Sequence, residues 1–281
     1  MISWLGLCLT SSLYSMSVDA IPQRDREDIN RLFYQLVMRD QFGYTLFCNK
    51  PVSFANYFSA PPDESFPFLC FDYPLQRGWK VWKKYDYLFD SKKFILVEND
   101  YLPTLHIRAI VLVNKEAFVN VVNANLPIFR SILGNEATPE QMITDLLSGK
   151  DLVKDVLRGN HLLEGIVYGY GVHNPILFRR REEILTYLEG SEMVPLIKPL
   201  PNMGFESLEE ECEWISQRLE GGAFEGYFLL PVDPVEMVFD ADHPETKAIL
   251  DTYRKERLQL CELINQPNFL ELALARFTSS D

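Results

Sequence analysis

Three side chains around one glycine-rich turn are the best placed to do chemistry: Tyr170, His173 and Arg181, grouped about Gly169-Tyr170-Gly171. A phenol and an imidazole exchange protons, and a guanidinium stays charged at cellular pH and grips carboxylates or phosphates with two prongs. A pocket floored by the turn and lined by these three residues would suit a small anion or the substrate of an enzyme. Arg181 also has a structural reading, which is favoured. At about 100° per residue, Leu177, Phe178, Ile184, Leu185 and Leu188 gather on one helix face with Arg181 near its middle, while Arg179 points to solvent. A guanidinium against an apolar stripe pairs with an Asp or Glu elsewhere in the chain or extends its head to water.

The elements that must position these groups are readable on both sides of the turn. Gly169 and Gly171 each weaken a helix by about 1 kcal/mol and accept left-handed dihedrals, so one helix ends there. Asn174 and Pro175 suit the N-cap and first turn of the next helix. Asn174 and Arg181 stand about two turns apart, so one small anion cannot engage both.

Upstream, residues 24–40 form an amphipathic helix pattern with Ile29, Leu32, Phe33, Leu36 and Val37 on one face. Residues 43–51 read as a short extended run ending in a turn before Pro51. The aromatic region that follows interleaves Trp79, Trp82 and Tyr85 with Lys80, Lys83 and Lys84. Such a mixture could stack sugars or bases, but spacings of three and four favour a helix with rings inward and lysines wet. From residue 93 the period changes. Phe94 to Val97 and Leu105 to Val113 are apolar and β-branched, which predicts paired antiparallel strands over about 93–113, with 226–232 as a further candidate strand.

The remaining starts are helical. Asn114 caps a helix with Phe118, Val121, Val122 and Leu126 inward, and Pro127 restarts it. Thr138-Pro139-Glu140-Gln141 and Ser207-Leu208-Glu209-Glu210 are capping boxes, and Asp151 caps a short helix. Glu164 reads as solvated, opposite the face of Leu162, Ile166 and Tyr170. The turn around Asp242-His243-Pro244-Glu245 opens the longest helix, to about Asn265, with Ile249, Leu250, Tyr253, Leu258, Cys261 and Ile264 inward and His243 on the surface. The fold class is therefore α+β, predominantly helical, with a small antiparallel sheet packed by many helices.

Composition narrows the function classes. A chain of 281 residues is long enough for one large domain, here 21–281, or for two lobes meeting near 150–165. Asp plus Glu number 40 against 27 Lys plus Arg, a net charge of -13, which argues against nucleic acid and anionic lipid. The basic triplet 179–181 is too short to change that. Residues 1–20 resemble a signal peptide cut after Ala20, with Val18 and Ala20 as the small residues; the competing reading is a buried N-terminal apolar helix and a cytoplasmic protein. The apolar run is too short for a transmembrane span.

Removing residues 1–20 leaves Cys48, Cys70, Cys212 and Cys261, for which free thiols are favoured over two disulfides. The four histidines, His106, His161, His173 and His243, have no metal-ligand spacing, so no metal and no cofactor is expected. Nucleotide-binding loops, metalloprotease motifs, nucleophile elbows and internal repeats are all lacking in the sequence.

One resemblance spans most of the chain. The run Gly43-Tyr44-Thr45-Leu46-Phe47-Cys48-Asn49-Lys50-Pro51 is similar to a Gly-Tyr-x-Leu-Phe-Gly-x-Lys-Pro pattern of exported, uncharacterised proteins of intracellular bacteria. Gly169-Tyr170-Gly171 with Asn174 and Phe178, and Glu245-Thr246 with Leu250 and Tyr253, resemble the same family. Cys48 stands where that pattern has glycine, which disfavours a disulfide there. The resemblance implies export and carries no activity. The expectation that follows is an exported, non-enzymatic protein that binds a protein partner; the alternative is an enzyme or small-anion binder at the Gly169-Gly171 turn.

Overall fold

Ile107–Asn114 reads Ile-Arg-Ala-Ile-Val-Leu-Val-Asn, a nearly unbroken apolar run, and the molecule is layered on it. A strand without polar alternation must be covered on both faces. The structure, a computed structural model, describes residues 20–59, 73–190, 203–221 and 230–279. In chain order the elements are α1 (Gln23–Arg39), α2 (Phe42–Leu46), β1 (Val52–Phe58), α3 (Tyr73–Tyr85), β2 (Phe94–Leu102) and β3 (Ile107–Asn114). Helices α4 (Lys115–Ala124), α5 (Leu126–Leu133), α6 (Pro139–Leu147), α7 (His161–Val167) and α8 (His173–Leu188) follow, with one wide π-turn at Leu152–Val156 before α7. The chain continues through α9 (Leu208–Arg218), β4 (Leu219–Gly221), β5 (Val238–Asp240), α10 (Pro244–Ile264) and α11 (Phe269–Thr278). This is the predominantly helical α+β fold that the periodicities predict.

The sheet runs β1-β3-β2, antiparallel throughout, with Val52 opposite Val113 and Ile95 opposite Val113 on the other side. Side chains alternate across a strand. Ile110 and Leu112 therefore enter a core built with α1, α2, α3, α10 and α11, and Ala109, Val111 and Val113 enter another built with α4 to α7. A smaller cluster of Leu177, Ile184, Leu208, Cys212, Ile215 and Leu219 joins α8 to α9 and β4.

Local signals fixed many boundaries. Asn114, Thr138, Asp151, Asn160 and Ser207 each accept a backbone N–H at the start of a helix or turn. Trp79 and Trp82 are buried, and Trp82 stacks on Phe89 at 5.3 Å, so the tryptophans are core and not a stacking platform.

Other expectations are corrected. Residues 42–46 are helical, not extended: Gln41 turns the chain at φ 63, and Gly43 lets α2 press against α10, where a Cβ would lie 3.0 Å from Leu260. Strand β1 was hidden because its inward residues are Ser53, Ala55 and Tyr57 while Phe54 faces out. Of the candidate strand at 226–232, residues 226–229 lie outside the described residues, and the rest forms bends with Val232 buried. Leu258 is exposed rather than inward, and α11 had no expectation. Residues 1–19, where the leader expectation falls, are outside the described residues. Among the described residues no helix is long and apolar enough to cross a membrane.

Candidate functional site

The turn between α7 and α8 needs both of its glycines. Gly169 and Gly171 have φ of +81° and +78°. A Cβ on Gly169 would fall 2.3 Å from the Tyr253 hydroxyl, and one on Gly171 would fall 2.7 Å from Ile249 and 2.8 Å from the Glu245 carboxyl carbon. Helix α10 is therefore pressed onto the turn, and its Glu245 completes α8 from outside. The Val172 N–H lies 3.1 Å from each Glu245 carboxylate oxygen, and the His173 N–H donates to Oε2 at 2.9 Å. A carboxylate is favoured at a helix N-terminus by the unsatisfied N–H groups and the helix dipole. The anion position at this turn is thus filled by the chain itself.

Asn174 is not the N-cap that its type predicts. Helix α8 begins one residue earlier, and the Asn174 side chain is buried among three elements. Its Oδ1 accepts from the Asp240 N–H at 2.9 Å and the Thr246 hydroxyl at 3.1 Å, and its Nδ2 donates to the Tyr170 carbonyl at 3.2 Å.

His173 meets an acid. Its Nε2 lies 3.1 Å from Oδ2 of buried Asp240, which also accepts from Arg218 at 3.1 Å. Burial pulls the Asp240 carboxyl up, but hydrogen bonds from His173, the Asp242 backbone and Arg218 outweigh it and hold it below the ordinary carboxylate value. His243, expected on the surface, instead stacks on His173 with ring centroids 3.6 Å apart and planes 8° from parallel, and its Nδ1 is buried without a hydrogen bond.

Tyr170 faces a different group. Its ring and that of Tyr168 each stand 5.9 Å from the Nζ of Lys50. Lys50 is only 2% exposed, donates to the Val52 carbonyl and to Ser53 Oγ, and forms no ion pair among the described residues. Burial draws its amine down to about 7. Burial also pushes the Tyr170 phenol well up. Tyr253 closes the layer by donating to the Gly169 carbonyl at 2.9 Å and meeting Tyr44 edge-on at 5.6 Å.

Glu256, one turn further along α10, has an oxygen buried without a partner, and burial lifts its carboxyl to about 7 against the pull of the Asn49 backbone N–H. Cys48 beside it is a free thiol, pushed up to about 12 by burial and by Glu256. Cys212 and Cys261 are free as well, and Cys70 lies outside the described residues.

The three segments quoted for the family resemblance, around Lys50, Tyr170 and Tyr253, therefore meet at one junction. Arg181 is not part of it. It sits eight residues beyond His173 on α8, about 12 Å of helix rise away. Its guanidinium lies 5.3 Å from the Phe178 ring centroid, with Nε buried and unbonded. The inward arginine is Arg180, on the line of Leu177 and Ile184, and it grips Glu211 at 2.6 and 2.9 Å. Glu211 is 0% exposed. Phe178 and Arg181 are half-buried, with Phe178 packed against the cluster that joins α8 to α9, and Leu185 and Leu188 are exposed. Arg179 pairs with Glu183 along the helix at 2.9 Å.

Glu164 departs from its solvated expectation too: one oxygen is buried and unbonded, and burial raises its carboxyl. Sequence reasoning missed Lys50, Asp240, Glu211 and Glu256 as partners. Lys50 and Glu245 lie inside the quoted patterns, whereas nothing local marks Asp240. Among the described residues no cluster of three or more His, Cys, Asp or Glu is placed to hold a metal ion. No family model, no curated protein and no solved structure matches this chain.

Proposed function

We propose that the chain is an exported, non-enzymatic protein that binds a protein partner through the tip of the β2–β3 hairpin. The carrying observation is apolar exposure concentrated there: Tyr101 is 44% exposed, Leu102 41% and Leu105 59%, on either side of Pro103. Single exposed apolar side chains are ordinary, whereas several on one short tip match what protein interfaces bury. The strands leading into the tip are cross-braced. Arg108 bridges Glu98 and Asp100 at 3.1 Å each, and the Tyr57 hydroxyl donates to Glu98. A tip whose flanking strands are braced loses less conformational entropy on binding than an unbraced loop.

The alternative, an enzyme or small-anion site at the turn, has less support. Glu245, Asp240 and the aromatic layer already engage the groups a ligand would need. Export rests on the leader-like segment ending at Ala20 and on the family resemblance, and the net charge of -13 disfavours nucleic acid.

A photo-cross-linking residue at Thr104, in the cells that make the protein and in those exposed to it, tests the reading. The expected result is one protein adduct that disappears with Leu102→Ser and Leu105→Ser while the melting temperature is unchanged. A probe at Leu147, an exposed leucine on α6, should give none. Equal adducts from both positions, or none from Thr104, refute the binding tip. Intact mass of the recovered protein reports export: loss of residues 1–20 supports it, and retention of Met1 refutes it.

A further inference from the structure

We propose that His173 and His243 form an acid-released latch between the first turn of α8 and the start of α10. The two imidazoles lie face to face, 3.6 Å apart and 8° from parallel. They are not equivalent. His173 has a carboxylate at 3.1 Å, from Asp240, whose charge balances a proton on that ring. His243 has no carboxylate hydrogen-bonded to it among the described residues, and its Nδ1 is buried without an acceptor. A proton on His173 is therefore balanced by a carboxylate in hydrogen-bond contact. A second, on His243, sets two like charges in stacking contact and creates a buried N–H with nothing to receive it.

The surrounding charges do not relieve this. Asp240 on β5 is shared with Arg218 from α9 and with the Asp242 backbone N–H. Asp242 pairs with Lys247 on α10 at 3.8 Å, and Glu245 on α10 is held by the Val172 and His173 N–H groups. Histidine changes charge between about pH 5 and 8, so mild acid is the trigger. Expelling the charged His243 ring loosens the residues around Pro244, and Glu245 leaves the N-terminus of α8 with them. The latch couples acidification to release of that helix start. It does not rest on the hairpin tip as a binding site.

Hydrogen exchange of the full chain at pH 8 and pH 5, corrected for intrinsic chemical rates, tests it. In the wild type the amides of Val172 and His173, bonded to Glu245, should lose protection by roughly tenfold or more at pH 5. Those inside α6 should keep theirs. His243→Phe retains a stacking ring without a charge and should hold protection at pH 5. If it does not fold, His243→Asn serves, since Asn suits the position before a helix. Unchanged protection in the wild type, or the same loss in the variant, overturns the latch.

Discussion

Lys50→Met should make the protein more stable at pH 6 and leave it little changed, or slightly weaker, at pH 10. The amine falls from 10.5 to about 7 because it is buried. Each tenfold change in proton affinity is worth about 1.36 kcal/mol, so below pH 7 the folded state carries a charged, desolvated ammonium at a cost of about 5 kcal/mol. Between pH 7 and 10.5 the unfolded chain binds more protons than the folded one, so wild-type stability from this group rises with pH. Methionine, of similar length and apolar, removes the penalty at every pH. It also leaves the Val52 carbonyl and Ser53 hydroxyl without the Nζ donor, a loss of about 1–2 kcal/mol. The net gain at pH 6 is about 3 kcal/mol. With an unfolding entropy of about 2.1 cal/mol/K per residue, that is a rise of about 5 °C in melting temperature for 281 residues. Thermal melts followed by circular dichroism across pH 6 to 10 measure it. A variant that melts below wild type at pH 6, or an offset that does not shrink with pH, would refute the placement of an unpaired ammonium in this layer.

Two further outcomes are expected from the same melts. Arg180→Ala takes the two-pronged guanidinium from the buried carboxylate of Glu211 and should cost about 3 kcal/mol, whereas Arg181→Ala, which loses its contact with the Phe178 ring, should cost under about 1 kcal/mol; equal losses would contradict the assignment of the inward arginine. Glu256→Gln should stabilise the protein above pH 7 and match wild type near pH 4.5. Its carboxyl is lifted from 4.5 to about 7, so the folded state is penalised where the group must ionise. A benefit that persists at pH 4.5 would show that the glutamate acts through packing instead.

How much of this was legible depends on whether the deciding contact was local. Asn114, Thr138, Asp151 and Ser207 name their helices because a cap bonds only three residues away. The central strand was legible from its apolar run. Arg180 was not. The angular reading put Arg181 in the middle of an apolar face of Leu177, Phe178, Ile184, Leu185 and Leu188, whereas the buried part of that arc is its Leu177 and Ile184 side, where Arg180 meets the Glu211 carboxylate of α9. Asn174 misled for a related reason. Its type suits a cap, but a carboxylate from α10 had taken that task, which freed the amide to bridge β5 and α10. Nothing in the neighbourhood of His243 announces that its ring will find His173, 70 positions back in the sequence. Strand β1 was masked by its own composition, since its outward Phe54 is more apolar than its inward Ser53.

The carboxylate that completes α8 comes from a residue 73 positions downstream of the amide it meets. A helix finished from so far along the chain cannot be finished early. Closing such a loop carries an entropic cost that α8 meets only once α10 is in place, so the two should gain protection together during refolding. During synthesis the segment around Gly169-Tyr170-Gly171 leaves the ribosome well before its cap does. Until Glu245 follows, α8 must stand with a frayed first turn, and the last third of the chain acts as the closing step for the middle.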